Sequence, residues 1–112
     1  MAKYEILVSC GAGMSSSLLG VHMREAAEKE GIDADIAAVA VDVIPDQLKK
    51  MKAQVIMIGP QMRFRIPQLQ EKYSIPVAMI DIRSYGTMDG HAVLADAIKL
   101  IEDQGGTSDS EN

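Results

Sequence analysis

The stretch Tyr4-Glu5-Ile6-Leu7-Val8-Ser9-Cys10-Gly11-Ala12-Gly13-Met14-Ser15-Ser16-Ser17-Leu18-Leu19 decides how this chain folds. Residues 4–9 are an apolar, partly β-branched run, the pattern of a short strand buried on both faces. Cys-Gly-Ala-Gly ends it. Residues 15–30 then take up helical spacing, with Leu18, Leu19, Val21, Met23, Ala26 and Ala27 mostly on one side. Arg24, Glu25, Glu28, Lys29 and Glu30 cover the other side, and Gly31 is a helix stop. A buried strand, a glycine-rich turn and an amphipathic helix make the opening unit of a parallel α/β sheet.

The unit recurs. Residues 34–41 read as a second strand through Ile36, Val39 and Val41, and Asp42 is placed to cap a helix over 43–52 with Pro45 in its first turn. Residues 54–58 form a third strand ended by Gly59-Pro60, followed by a helix over 62–72 that Pro67 makes late-starting or irregular. Residues 76–80 form a fourth strand, a loop runs from Asp81 to Gly90, and a last helix spans 91–102 with Leu94, Ile98 and Ile101 on one face. The polar residues of 104–112 bury too little apolar surface to offset their ordering entropy and read as a disordered acidic tail. The order βαβαβαβα, with right-handed crossovers, predicts a three-layer, flavodoxin-like fold: a four-stranded parallel sheet in the order 2-1-3-4 with helices on both faces. Such sheets bind ligands beyond the carboxyl ends of the strands, beside strand one, and Cys10 lies there.

Composition narrows the chemistry. The 112 residues suit one domain, here 1–103, with 47% hydrophobic and 24% charged residues. A net charge of −5 argues against a nucleic-acid module. One cysteine excludes an internal disulfide framework, a CxxC pair and a cysteine-cluster zinc site, and the histidines and carboxylates show no metal-ligand spacing. The apolar run near the N-terminus is too short for a signal-peptide core, and none approaches a membrane span, so the expected location is cytoplasmic.

Cys10 is therefore either a small buried hydrophobe or a working thiol. The backbone N–H groups of a Gly-rich turn and the helix start behind it form an anion site, to which Ser15, Ser16 and Ser17 can add hydroxyls. An ordinary cysteine is only about 3% thiolate at pH 7, and a helix N-terminus favours a nearby negative charge by about 0.3–1 kcal/mol. A Walker A loop would end in Gly-Lys-Ser/Thr, and no lysine stands between Lys3 and Lys29. A dinucleotide fingerprint would need a third glycine where Ser16 stands, although Asp33 and Asp35 lie near the ribose-binding distance. The cysteine loop of low-molecular-weight phosphatases and arsenate reductases requires an arginine where Ser16 stands, to hold the transferring phosphoryl group. A phosphatase-like cysteine enzyme remains the alternative. The missing arginine favours a site that carries a phosphoryl group and hydrolyses it poorly.

Cys10 to Leu19 resembles the C-x-A-G-M-S-[ST]-S-L-L loop of the enzyme IIB components of the lactose/cellobiose (chitobiose) branch of the bacterial phosphoenolpyruvate-dependent sugar phosphotransferase system. Gly59-Pro60-Gln61-Met62-Arg63 is similar to that family's G-P-Q-[VI]-R, and Asp81 to Gly90 to its D-x-R-x-Y-G-x-M-[ND]-G, so the resemblance covers about residues 4–102. It implies a cytoplasmic phosphotransferase component that docks transiently at the inner membrane face. Cys10 would be the phosphocysteine, loaded from a phosphohistidine of a IIA protein and unloaded onto a cellobiose- or chitobiose-type sugar held by a IIC permease. The backbone of Gly11, Ala12, Gly13, Met14, Ser15, Ser16 and Ser17 would cradle the phosphoryl oxygens. No cofactor, metal or nucleic acid is implied, and the chain is expected to be monomeric.

Residues around the loop carry two readings each. Gln61 could donate to the phosphoryl group or brace its own turn. Arg63 and Arg65 could attract a phosphorylated partner or be merely solvated. Asp81, Arg83 and Tyr85 could meet a partner, with Asp81 and Tyr85 read as structural. His22 reads as a surface residue and His91 as a helix-start residue. Met14 and Met62 could supply adaptable contact surface beside the site.

Overall fold

A computed structural model describes residues 2–11 and 14–111, with side chains described for 2–11 and 17–104. The elements run β1 Tyr4–Cys10, α1 Met14–Glu30, β2 Ala34–Ala40, a 3-10 turn Val41–Val43, α2 Ile44–Gln47, β3 Val55–Ile58, a 3-10 segment Pro60–Arg65, α3 Ile66–Lys72, β4 Val77–Met79, α4 Ile82–Gly86 and α5 Gly90–Glu111. The strands form one parallel sheet in the order β2-β1-β3-β4, as the sequence predicts.

Alternation along β1 sets the two cores. Ile6 and Val8 face the layer of α1 and α5, together with Leu19, Met23, Met57, Val93, Leu94 and Ala97. Leu7 faces the other side, with Val41, Ile44, Ile56, Ile58, Leu69 and Val77. Ser9 points into that second layer as a buried polar residue, and its hydroxyl donates to the Val39 carbonyl at 2.8 Å. The start of β1 is tied to the last helix: the Tyr4 phenol donates to Glu102 at 2.5 Å, and that bond, with burial and the carboxylate's charge, pushes the phenol's pKa up.

Two glycines have opposite reasons for being glycine. Gly31 ends α1 at φ +69°, with Ile32 N–H reaching the Ala27 carbonyl at 2.8 Å and Gly31 N–H reaching Glu28 at 3.2 Å, a left-handed helix cap. Gly90 opens α5 against the backbone of α1. A Cβ there would stand 2.3 Å from the His22 carbonyl carbon and 2.5 Å from Met23 N. That close approach locks the two helices of one layer together.

Three elements differ from the sequence reading. Asp42 does not cap α2: the chain leaves β2 directly into a 3-10 turn, α2 starts after Val43 with no side-chain cap, and Asp42 instead lies 3.8 Å from the Arg65 guanidinium. The segment expected to be loop after β4 contains α4, with Asp81 as its cap. The last helix, expected to stop at 102, continues as helical backbone to Glu111 across the stretch read as a tail. No proline interrupts it, and Gly105 and Gly106 each weaken a helix by only about 1 kcal/mol relative to alanine.

The glycines separate in a stability test. Gly90→Ala is expected to cost about 3 kcal/mol, because rigid backbone must move to admit the methyl group. Gly31→Ala faces nothing within 4 Å and meets only the left-handed backbone, a penalty of about 1 kcal/mol. Denaturant unfolding of both variants checks the order; equal losses would contradict it.

Candidate functional site at the carboxyl edge of the sheet

Cys10 is the last residue of β1, opposite Ala40 of β2 and one residue beyond the Ser9–Ile58 pair with β3. It is buried, with 1% of its surface exposed, while Gly11 immediately after it is exposed. The ladder continues past the strand ends: Gly59 N–H donates to the Ser9 carbonyl and Ile80 N–H to the Ile58 carbonyl, each at 2.8 Å. The segments leaving β3 and β4 therefore start from the same edge as the cysteine.

The expected cradle is partly in view. Ala12 and Gly13 lie outside the described residues. Met14, Ser15 and Ser16 enter as helical backbone at the start of α1, which places that helix N-terminus just beyond Cys10, and their side chains lie outside the description. Gly11 and the exposed Ser17 flank the turn. A Cβ on Gly11 would stand 3.2 Å from the Met62 sulfur, so Met62 sits against the loop as the sequence suggests.

The turn after β3 wraps onto the cysteine. Gly59 has no side chain, and the point its Cβ would occupy is 3.1 Å from Cys10 Cβ and 2.9 Å from Gln61 Oε1. Gln61 Oε1 and Cys10 Cβ thus both border the space over Gly59 that a side chain there would fill. At its other end, Gln61 Nε2 donates to the Tyr85 hydroxyl at 2.9 Å. Gln61 and Tyr85, set on two separate turns of sequence, are brought together by the sheet edge.

The charged residues nearby are engaged by their own elements. Arg63 turns back and donates from Nη1 to the Pro60 carbonyl at 3.1 Å, and Arg65 bonds Gln68 at 3.2 Å as well as pairing with Asp42. Asp81 accepts from the backbone N–H of Ser84 at 3.0 Å and from its hydroxyl at 3.1 Å, capping α4 and so holding Tyr85 in place. His22 is more than a surface residue: it is half-buried, and Nδ1–H donates at 2.8 Å to the carbonyl of Met88, which takes φ 52°. His91 stands at the start of α5 and pairs with Glu30, away from the cysteine loop. Sequence reading missed the Asp89 cap, whose carboxylate accepts from Ala92 N–H at 3.0 Å.

A parallel α/β domain with a cysteine at the end of an inner strand and a helix N-terminus following it in the chain is a small doubly wound domain with its candidate site at the carboxyl edge of the sheet. Residues 5–96 match the family described as PTS system, Lactose/Cellobiose specific IIB subunit, and the chain belongs to that family of phosphotransferase components. It is 39% identical over 103 residues to the oligo-beta-mannoside-specific EIIB component of Bacillus subtilis, covering 89% of this chain and 98% of that protein. It is 36% identical over 107 residues to the cellobiose-specific EIIB component of Lactococcus lactis subsp. lactis, covering 90% and 99% of the two chains. The solution structure of a cellobiose-specific IIB component from Borrelia burgdorferi superimposes with a TM-score of 0.70 at 32% identity over 89% of this chain and 93% of that one. The lactose-specific IIB domain from Streptococcus pneumoniae shares the fold, with a TM-score of 0.73 at 17% identity over 86% and 95% of the two chains. No helix among the described residues is long and apolar enough to cross a membrane.

Asp81 supplies a pH test of the edge. Its hydrogen bonds from Ser84 hold its carboxyl below the usual carboxylate range. A depressed folded-state pKa contributes stability that is present above the unfolded value, about 3.9, and is lost as pH falls through the folded value. Carboxyl NMR should place the Asp81 midpoint below that of an unfolded aspartate, with the α4 resonances moving at the same midpoint. A midpoint at the unfolded value would contradict the cap.

Proposed function

We infer that the chain is a cytoplasmic phosphocarrier in which Cys10 receives a phosphoryl group from a phosphohistidine of a IIA protein and delivers it to a sugar held by a membrane IIC permease. The observation that carries this is the placement of Cys10 at the end of β1, directly before the N-terminus of α1. A helix N-terminus and the N–H groups of the turn favour an anion there, first a thiolate and then an S-phosphoryl group. In the first step the thiolate sulfur attacks phosphorus, the P–N bond breaks and the leaving imidazole takes a proton. In the second, a sugar hydroxyl attacks, the P–S bond breaks, the hydroxyl proton leaves to solvent or a base of the permease, and the thiolate returns. Little covalent work falls to the protein, so positioning and charge stabilisation are what the loop supplies.

The backbone of residues 11–17 is the cradle in this reading. Ser16 stands where the cysteine phosphatases have the arginine that steadies the transferring group, which suits a site that must hold its phosphoryl group rather than hydrolyse it. Large apolar side chains exposed among the described residues gather on segments that follow the carboxyl ends: Leu18 and Val21 on α1, Val43 after β2, Phe64 after β3, and Met79 and Ile82 at and after β4. An apolar rim of this kind around a reactive centre fits transient docking of partner proteins. A β-linked disaccharide of the cellobiose or chitobiose type is the sugar in this reading, on the cellobiose and oligo-beta-mannoside names of two relatives, although a third is named galactose-specific.

Incubation with phosphoenolpyruvate, the general phosphotransfer proteins and a set of IIA proteins should add one phosphoryl group by intact mass, and Cys10→Ser should abolish it. An unlabelled wild type with every IIA, or a serine variant labelled equally, overturns the carrier reading. Leu18→Lys with Phe64→Lys should slow transfer from the same IIA about tenfold or more, since two desolvated contacts of about 1 kcal/mol each would be lost. Unchanged transfer would remove the apolar rim from the docking surface.

A further inference from the structure

The Gln61–Tyr85 pair has a property that bracing alone does not require. The Gln61 side chain presents its acceptor, Oε1, to the space over Gly59 that Cys10 Cβ also borders, and its donor, Nε2, to Tyr85. An amide oxygen suits a neutral thiol, whose S–H is a weak donor, and repels a thiolate or a phosphoryl oxygen. The amide's other end suits the anion. A half-turn about the last side-chain torsion of Gln61, which is broad and roughly two-fold, exchanges the two. Most partners would lose their hydrogen bond in that exchange. A tyrosine hydroxyl would not, because it accepts from Nε2 in one orientation and donates to Oε1 in the other.

We propose that Gln61 is a charge-following ligand of the cysteine site, turning its amide to donate to Cys10 when sulfur becomes anionic, and that Tyr85 is the positioning residue that keeps the amide bonded in both orientations. For the thiolate this stands on geometry alone; for the phosphorylated cysteine it rests on the carrier reading above. The surroundings leave this task to a neutral amide. Arg63 is spent on the Pro60 carbonyl, Arg65 on Gln68 and Asp42, and Asp81 on Ser84, while Arg83 lies exposed on α4. Gly59 is part of the device, since a Cβ there would meet Gln61 Oε1 at 2.9 Å and block the turning amide. Such a clamp steadies an anion without the fixed positive charge that also promotes hydrolysis.

The test follows the side-chain amide resonances of Gln61 by NMR while the Cys10 thiolate is titrated by its ultraviolet absorbance. In the wild type the amide resonances should move with the thiolate's midpoint, and in Cys10→Ser they should stand still. Gln61→Leu should lower the thiolate fraction at neutral pH about tenfold, an upward shift of about one pKa unit. Gln61→Glu, which keeps the shape but can only accept, should shift it further, and Tyr85→Phe should shift it in the same direction by less. Gln61 is exposed, so these variants are expected to fold, which their backbone spectra verify. Amide resonances that ignore the titration, or a Leu variant with the wild-type midpoint, overturn the proposal. The same spectra on protein phosphorylated through a IIA protein separate it from the carrier reading. A labelled Cys10 with an unmoved amide sinks the clamp alone. An amide that follows the thiolate in a protein no IIA labels upholds the clamp and sinks the carrier.

Discussion

β1 is hydrogen-bonded to a parallel neighbour along both of its sides, from Tyr4 to Cys10 against β2 and from Ile6 to Ser9 against β3, and the site depends on this double ladder. A strand held on both sides has no freedom to slide or tilt, and with Ile6, Leu7 and Val8 fully buried, a slip of one residue would exchange the two cores. The consequence is felt at its last residue. Cys10 is fixed at the point where the crossovers diverge, β1 going to β2 on one side and β3 lying on the other. The turns after β3 and β4 therefore converge on it without long loops.

Small residues then decide how close that convergence can be. A Cβ at Gly59 would crowd both Gln61 Oε1 and Cys10 Cβ, and one at Gly11 would crowd the Met62 sulfur. On the far side, Gly90 lets α5 lie against the backbone of α1. The contact falls on the backbone of His22, the residue whose ring also bonds Met88 and holds the segment after α4. The position of Tyr85 is therefore set twice, by the Asp81 cap before it and by the anchored Met88 after it. A hydroxyl held in this way can serve as a fixed partner for a side chain that turns.

The parts of this architecture that were legible in the sequence are those carried by burial. Apolar runs of four to seven residues announce buried strands, and β1, β3 and β4 stand where those runs lie. The strand order followed from the chain order and the handedness of crossovers. Short elements carried by single hydrogen bonds were not legible. α4 has five residues, too few for a period to show, and its one signal is an aspartate three residues before a serine. Asp42 has the same chemistry and caps nothing, because the chain there enters a 3-10 turn straight from β2. Propensity offers both aspartates the same role, and the backbone path decides between them. The motif pointed to Cys10, Gly11 and Ser17, which stand at the end of β1, just after it and on α1, and Ala12 and Gly13 lie outside the described residues. The pairing of Gln61 with Tyr85 could not be read, since it joins residues 24 apart through the sheet edge.

A cysteine site that carries a group faces a requirement different from that of one that hydrolyses it. The hydrolase needs its strongest stabilisation in the transition state for attack by water, and a bidentate guanidinium supplies it. A carrier takes its group from one partner and gives it to another, so its stabilisation must be even across the thiolate, the phosphocysteine and the two transfer states. Backbone N–H groups and a neutral amide have that property, because each contributes a modest bond to any anion in the cradle and none anchors one geometry. This chain keeps Arg63 and Arg65 turned toward Pro60, Gln68 and Asp42, and sets the Gln61 amide at the space over Gly59 that Cys10 also borders. If Cys10 carries a phosphoryl group as proposed above, selectivity for carrying over hydrolysis would arise from where the cations are held as much as from the residues that touch the group.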